Sequence, residues 1–554
     1  MVWVKNKMNR FLKLLFFLGV AIFITKPYFS TQFPYTHDGE NHLARFANYK
    51  IALREGQFPP RFAPNLLNHY GYPVFNYNYP LANILSVPFS ILKINYEVTF
   101  KIIVFGFVIF ALLGIDRWLK LLGFKQKARL FGLVLFSTTP YLISAITFRG
   151  NIGEIMALCL LPWVFWVVEK SARVAKKSSF TTSKKWFILG AIIWTMFFLS
   201  HNVTVLFGTP LVILYALFRF GRKISHHKLW LISMVSGIGL SLWFWLPAVL
   251  EKNLIVLDQA DLSKNFVGQF PTFSQLLFSP LEFGFSKIGG VDSLSFGLGL
   301  AQILIFILGG ILLAKKKMPQ KLRFLWLIIL VFIVAQFSFT SPLWSIIPLA
   351  NFIQFPWRLS LFIGVLILPL GALVFQKSQS HFKFLLLFLI FIQIVGIAKL
   401  RSADYFHKEN IDYDVFSQTT STANENLPKT FSYLKFADWQ PTAQIIAGDM
   451  SGKVEILEWT GSNRSYQLSI SKKSTIIEPT MNFAGWETKV NGKLVKHKDD
   501  EQIRGRIGFE LDAGEHKIET KFTQNTLARM VGNGVSLLVG LVLILYFIIP
   551  KKYK

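Results

Sequence analysis

A chain of 554 residues that is 52% hydrophobic and only 16% charged falls outside the composition of soluble domains, where about a quarter of residues are charged. Its formal charge of +29 gives no support to a nucleic-acid partner, because the cations are scattered over short loops between apolar runs and have no domain of their own. Its single cysteine, Cys159, lies inside an apolar run, which excludes an intramolecular disulfide and marks a packed thiol.

A membrane-spanning helix needs roughly 20 apolar residues, since about 30 Å of hydrocarbon is crossed at about 1.5 Å per residue. In chain order, such runs predict spans near 8–25, 99–118, 128–146, 152–168, 186–200, 203–220, 228–246, 296–314, 322–340, 359–375, 382–398 and 530–549, about 12 in all. The first run lacks a small-x-small cleavage site after it and reads as a retained helix. Residues 80–92 (PLANILSVPFSIL) are apolar but short and carry two prolines. They read as an interfacial or re-entrant helix.

Charge then orients this map. With both termini on the cytoplasmic side, the cytoplasmic segments hold 29 cations against two acids, Asp116 and Glu169. The outward region 399–526 is balanced, with 17 cations and 18 acids. The basicity is therefore a topology signal, because Lys and Arg stay on the cytoplasmic side.

The expected fold class is mainly α: a polytopic helical bundle with an outward, β-sandwich-like domain before the last helix. Residues 1–398 form the bundle, including a long outward loop at 26–98 and further outward loops near 247–295 and 341–358. Residues 399–526 form the outward domain, and 527–554 the final helix and cytoplasmic tail. Strands are predicted by alternation in SYQLSIS (465–471) and HKIETKF (516–522). Asn491-Gly492, between WETKV and KLVKH, predicts a two-residue hairpin turn. The polar stretch 417–429 reads as a linker.

The candidate chemistry lies outward. The first loop opens with Thr36-His37-Asp38-Gly39-Glu40-Asn41-His42-Leu43-Ala44-Arg45. If 40–54 is helical, His42, Arg45 and Tyr49 share one face, and Leu43, Phe46, Ala47 and Ile51 another. That pattern predicts an interfacial amphipathic helix whose polar side faces a cavity. The loop continues through Arg61 into GYPVFNYNYPL (71–81), an aromatic and proline-rich stretch suited to headgroup level. A general base at the membrane surface needs a carboxylate, and Asp38 supplies one. His37 and His42 with Asp38 and Glu40 form an alternative divalent-metal set.

Further along, Glu154 begins an apolar run just after Arg149, where a carboxylate is favoured by the helix dipole. It reads either as a helix start paired with Arg149 or as a cavity-facing charge. His201 follows the fifth span on the same side and reads either as a helix terminus or as cavity lining. Arg358 is the lone charge between residues 324 and 376, a position that is costly unless it meets the interface or an anion such as a lipid phosphate.

Taken together, an outward first loop with an acidic motif, a helix and a Pro-rich aromatic stretch before the second span resembles the GT-C superfamily of membrane glycosyltransferases. Asp38-Gly39-Glu40 fits that superfamily's D-x-D-type motif as D-x-E. The segments HDGENHLARF, GYPVFNYNYPLA, FRGNIGEIMALCLLPW and FIQFPWRLS resemble the bacterial membrane family labelled "6-pyruvoyl-tetrahydropterin synthase-related". Nothing here resembles the zinc-binding histidines of the soluble pterin enzyme. From NFAGWETKVNGK to the last helix, the chain is similar to the distal domain of YfhO-type membrane proteins.

The resemblance implies an inverting transfer of a sugar from a polyprenyl-phosphate donor to an extracytoplasmic acceptor at the cell membrane. It makes Asp38 the base with Glu40 as helper. Arg358 and Arg149 would hold the donor phosphate, Glu154 and His201 would shape the sugar or acceptor pocket, and His37, His42 and Arg45 would contact substrate. No cofactor is firmly implied, and a divalent metal stays open. Two other readings compete: a transporter or flippase for lipid-linked saccharides, and an envelope assembly factor working through the Trp486-containing turn region. Short basic inward loops and the lack of broken-helix repeats speak against transport.

Overall fold

The computed structural model of the chain describes residues 2–177, 180–222, 224–258, 268–286, 294–347, 350–421, 423–431 and 439–548. The KKYK tail and parts of the expected outward loop 247–295 lie outside them. Helix α1 (Val2–Ile24) leads into a short strand, β1 (Phe33–Pro34), then α2 (Gly39–Arg54), α3 (Leu81–Ile91) and α4 (Tyr96–Leu121). The bundle continues with α5 (Gln126–Ser137), α6 (Pro140–Ser144), α7 (Ile152–Lys177), α8 (Phe180–Phe198), α9 (Asn202–Phe220) and α10 (Ile224–Leu250). After the short α11 (Phe273–Phe278) come α12 (Leu300–Ala314), α13 (Gln320–Val334), α14 (Ser341–Ile346), α15 (Leu359–Lys377) and α16 (Ser380–Lys399).

Among the described residues, seven helices are long and apolar enough to cross a membrane, and up to nine if two bent pairs each count as one span. The expected run 128–146 is one bent pair, kinked by 46° between Gln126–Ser137 and Pro140–Arg149. Pro140 cannot supply the peptide donor that continued helix requires. The run 322–340 is the other, turning through 95° after Val334. Helix α12 has 15 residues and α3 only 11, so α3 is about half the length that crosses hydrocarbon.

Helix α7 lies at the centre. Its residues from Ile152 to Glu169 are all buried, as expected for a helix hydrophobic on all sides. On the charged side the two expected cytoplasmic acids are both internal. Asp116 of α4 takes Lys13 of α1 at 2.5 Å and Arg129 of α5 at 3.0 Å. Glu169 of α7 takes Arg219 of α9 at 2.8 Å and the Tyr215 hydroxyl at 2.6 Å. Each carboxylate thus staples neighbouring helices.

Beyond α16, β2 (Tyr405–Phe406) pairs antiparallel with β1, and α17 (Asn410–Asp414) packs on α2. Two sheets follow. One has the order β4-β5-β10-β7-β8, built from Lys453–Trp459, Asn463–Ile470, Gly514–Phe522, Trp486–Val490 and Lys493–Val495. The other has the order β3-β6-β9, built from Gln444–Ala447, Ser474–Met481 and Arg506–Leu511. The hairpin β7–β8 turns at Asn491 (φ 50°) and Gly492 (φ 79°), the paired left-handed conformation that Asn-Gly favours. Helix α18 (Leu527–Ile548) closes the described chain against α10.

Three expectations need correction. Helix α2 is not an interfacial helix with one lipid face, because every residue from His42 to Tyr49 is buried. The stretch 417–429 is no free linker: Thr419, Thr420 and Asn426 are buried, and the Asn426 amide donates to the Tyr72 hydroxyl. Trp486 presents no binding surface, because its ring is buried edge-on against Phe62 and Phe522. Residues 62–77 of the first long loop and the facing sides of both sheets in fact share one hydrophobic core.

A buried polar hub ties that shared core to α18. Glu251 accepts from Arg529 at 2.9 Å, Asn76 at 2.9 Å and Thr526 at 2.5 Å. Arg61 is fully buried beside it, donating to Gln524 and Asn533. Replacing Glu251 by Leu would strand the buried Arg529 guanidinium, and removing one partner of such a pair costs about 3–5 kcal/mol. We expect Glu251→Leu to lower the thermal-unfolding midpoint in detergent. The double variant Glu251→Leu/Arg529→Met should recover much of the loss.

Candidate functional site

The site begins at the N-terminus of α2. Asp38 occupies the N-cap position, yet its carboxylate makes no capping bond. Thr36 does that work instead, its Oγ1 accepting from the Gly39 amide at 3.1 Å. The Asp38 side chain is therefore free to turn away from the helix. The backbone of this loop is pinned to the end of the bent α5–α6 span: the His37 amide donates to the Phe148 carbonyl at 3.0 Å and the Asp38 amide to that of Arg149 at 2.9 Å. Such close pairing needs Gly150, which is left-handed (φ +61°) and whose Cβ, if present, would lie 2.7 Å from Thr36 Cβ.

Asn151 then starts α7. Its Oδ1 accepts from the Glu154 amide at 3.0 Å and the Tyr79 hydroxyl at 2.8 Å, while its Nδ2 donates to Asp38 Oδ2 at 3.1 Å. Gly153 admits the Tyr79 ring, since a Cβ there would also meet the Ser200 carbonyl at 2.6 Å.

Behind Asp38 lies a buried charge cluster. Glu154 is paired with Arg149 and accepts from the Tyr141 hydroxyl at 2.6 Å. Arg358 approaches from the start of α15, its Nε 3.8 Å from Glu154 Oε2. Arg358 Nη1 donates to Gln354 Oε1 at 2.6 Å and the Ile353 carbonyl at 3.0 Å. Phe355 and Trp357 stack at 5.0 Å and floor the cluster, with the Arg358 guanidinium 5.0 Å from the Phe355 ring and that of Arg149 5.2 Å from Trp357. Two arginines thus share one buried carboxylate. Glu154 Oε2, Arg358 Nε, Trp357 Nε1, His37 Nε2 and His42 Nε2 are buried with no hydrogen-bond partner among the described residues. Buried polar atoms are nearly always satisfied, so these free donors and acceptors mark unmet hydrogen-bonding capacity at the cluster.

The histidines are held neutral. Burial pushes His37 down to about 4, against the pull of Asp38. Its ring stacks on Phe285 at 4.5 Å, with Phe283 edge-on at 4.9 Å. Burial also lowers His42 well below the usual range, helped by Arg45 and His201. His201 caps α9, its Nδ1 accepting from the Thr204 amide at 3.3 Å, and burial lowers it to about 3. Tyr79 lies between the two, 6.0 Å from the His42 ring and 5.0 Å from that of His201.

Asp38, Arg149, Glu154, His201 and Arg358 are thus brought together, with His37 and His42 at the margin. Two expected members are engaged elsewhere. Glu40 takes Lys408 Nζ at 2.5 Å. Arg45 donates to Thr420, with Nε 3.1 Å from its Oγ1. The proposed metal set does not form: among the described residues, no three His, Cys, Asp or Glu side chains gather at ligand spacing. Tyr79, Tyr141, Asn151 and Trp357 were absent from the expected set. Tyr79, Asn151 and Trp357 each lie within or beside a motif that drew attention by its charges or aromatic content.

Comparison with known proteins matches residues 75–403 to the family described as "6-pyruvoyl-tetrahydropterin synthase related domain; membrane protein". An uncharacterized protein of Lactococcus lactis subsp. cremoris (strain MG1363) is 28% identical over 292 residues, covering 49% of this chain and 45% of the relative. The match therefore spans about half the length of that relative. Among solved structures, the mycobacterial arabinofuranosyltransferase AftD is 13% identical with a TM-score of 0.46, over 71% of this chain and 26% of that one. The Archaeoglobus fulgidus oligosaccharyltransferase in its apo form is 12% identical with a TM-score of 0.43, over 77% and 62%.

Because His37 and His201 are pushed to about 4 and about 3, the unfolded chain takes up protons there first, near its ordinary value of about 6.5. Stability must then fall as pH drops from about 6.5 and level off below about 3. Thermal-unfolding midpoints in detergent across that range should follow this course. His201→Asn, which keeps a capping acceptor, should make the fall shallower.

Proposed function

The chain belongs to the 6-pyruvoyl-tetrahydropterin synthase related family of membrane proteins, and from that premise we propose that it is a glycosyltransferase working at the outward face of the cell membrane. One observation carries this reading. Asp38 is half-buried, with one carboxylate oxygen held by Asn151, and beside it two arginines share a single carboxylate over an aromatic floor. A carboxylate that can accept a proton, next to surplus positive charge that can receive a leaving phosphate, suits transfer from a phosphate-linked donor.

In the proposed reaction the acceptor hydroxyl oxygen attacks the anomeric carbon of a sugar carried on a polyprenyl phosphate. The carbon–oxygen bond to phosphate breaks, and its electron pair leaves with the phosphate. The acceptor proton passes to Asp38, and attack opposite the leaving group inverts the anomeric centre. Arg358 and Arg149 stabilise the departing phosphate, which competes with Glu154 for their donors. His201 and Glu154 shape the pocket, and neutral His37 and His42 offer uncharged ring nitrogens to substrate hydroxyls. Glu40 and Arg45 act indirectly in this scheme, fixing α2 to the segments that follow α16. The positive-inside charge pattern supports about 12 spans, with both termini cytoplasmic and the region 399–526 outward.

Asp38→Asn keeps the shape of the site but removes the proton acceptor. We expect incorporation of labelled sugar into the envelope fraction to fall about 10²- to 10⁴-fold, with membrane insertion verified separately. Arg358→Gln should weaken use of the lipid-linked donor. Undiminished incorporation by correctly inserted Asp38→Asn would refute the enzyme reading.

A further inference from the structure

Asn151 has two faces with different partners. On one, its Oδ1 receives the Glu154 amide at 3.0 Å and the Tyr79 hydroxyl at 2.8 Å. A peptide N–H can only donate, so the amide oxygen is fixed on that side and the Nδ2 group must face Asp38. On the other face, Nδ2 donates to Asp38 Oδ2 at 3.1 Å. Asp38 makes no other side-chain hydrogen bond among the described residues and is half-buried. Its second oxygen is therefore left open by construction. The helix start that carries Asn151 also carries Glu154, whose carboxylate the two arginines share.

We propose that Asn151 is a positioning residue that holds Asp38 by one carboxylate oxygen, presents the other to the acceptor, and couples that orientation to the arginine cluster through the Glu154 amide. This deepens the glycosyltransferase reading, but its core, the orientation of Asp38 by Asn151, can be tested without it. Tyr79 is the second support. It locks the amide from outside the helix, and Gly153 is what lets its ring come close enough. The charged and titratable groups facing Asp38 are Arg149 and Arg358 from the bundle, Tyr79 from the first loop and its neighbour His37.

The test uses the full-length protein in detergent or membranes. A water-soluble carbodiimide with an amine trap modifies protonated carboxyl groups, and site-resolved mass spectrometry can follow Asp38 against pH. Glu40, on the same peptide and paired with Lys408, is the internal control. Asn151→Asp puts a second carboxylate in place of the donor, and two carboxylates in contact cannot both ionise freely. The labelling midpoint of Asp38 should then rise by about one pH unit or more, with that of Glu40 unchanged. Tyr79→Phe, the milder variant, should leave the protein folded and give a smaller rise. An Asp38 midpoint identical to wild type in folded Asn151→Asp would overturn the inference. In a sugar-transfer assay, Asn151→Ala should lower the rate about 100-fold, as misplacing a reacting group does, with little change in the donor KM. A shifted midpoint with no sugar transfer by the wild-type protein would uphold the positioning role and refute the proposed activity instead.

Discussion

The structure turns on Glu154, a carboxylate buried at the start of a helix that has no lipid-facing side. An ion in that position is tolerated only when paired and hydrogen-bonded, and here the pairing joins the bent span just ahead of it to a turn far along the chain. Arg149 comes from the end of the bent α5–α6 span, Tyr141 from its broken middle, and Arg358 from the turn into α15. Asp116, another internal acid of the bundle, differs in one respect. Asp116 has both oxygens bonded, to Lys13 and Arg129. Glu154 leaves one oxygen 3.8 Å from an arginine nitrogen that is itself unpartnered. A staple would close that gap, whereas a site that exchanges its carboxylate for a ligand oxygen would leave it open.

Burial sets the electrostatics around this gap. With the three histidines driven to neutrality by desolvation, the local charge is carried by two arginines and two carboxylates. Asp38 belongs to the half-exposed rim and Glu154 to the interior. Low local dielectric strengthens each of these interactions relative to water. The same desolvation makes the neutral histidines usable as hydrogen-bond partners without adding charge.

Much of this was legible in the sequence because charge is scarce in the loops on this side of the bundle. Asp38, Arg149, Glu154 and Arg358 stand out against apolar neighbours, and tertiary contact gathers them. The Asn-Gly hairpin and the alternating strands were equally plain, since local backbone preference decides them. Tyr79, Asn151 and Trp357 were harder to see, because aromatic and amide residues are common at headgroup level and only tertiary contact distinguishes them. The burial of α2 was illegible for a different reason. Its outer face is covered by a segment that returns 375 positions later, where Arg45 meets Thr420. No local period encodes that contact.

That return also explains why Asp38 can be placed so firmly on a loop. Strand β2 pairs with β1 just ahead of it, α17 packs on α2 just behind it, and residues 62–77 share a core with the two sheets. The β-rich region is therefore part of the scaffold of the first loop. Its attachment through Glu251 and Arg529 anchors α18 to that same scaffold. A lone loop would carry the mobility usual for such segments. Enclosed between the bundle and the sheets, this one has the rigidity that a single hydrogen bond from Asn151 needs in order to orient a carboxylate.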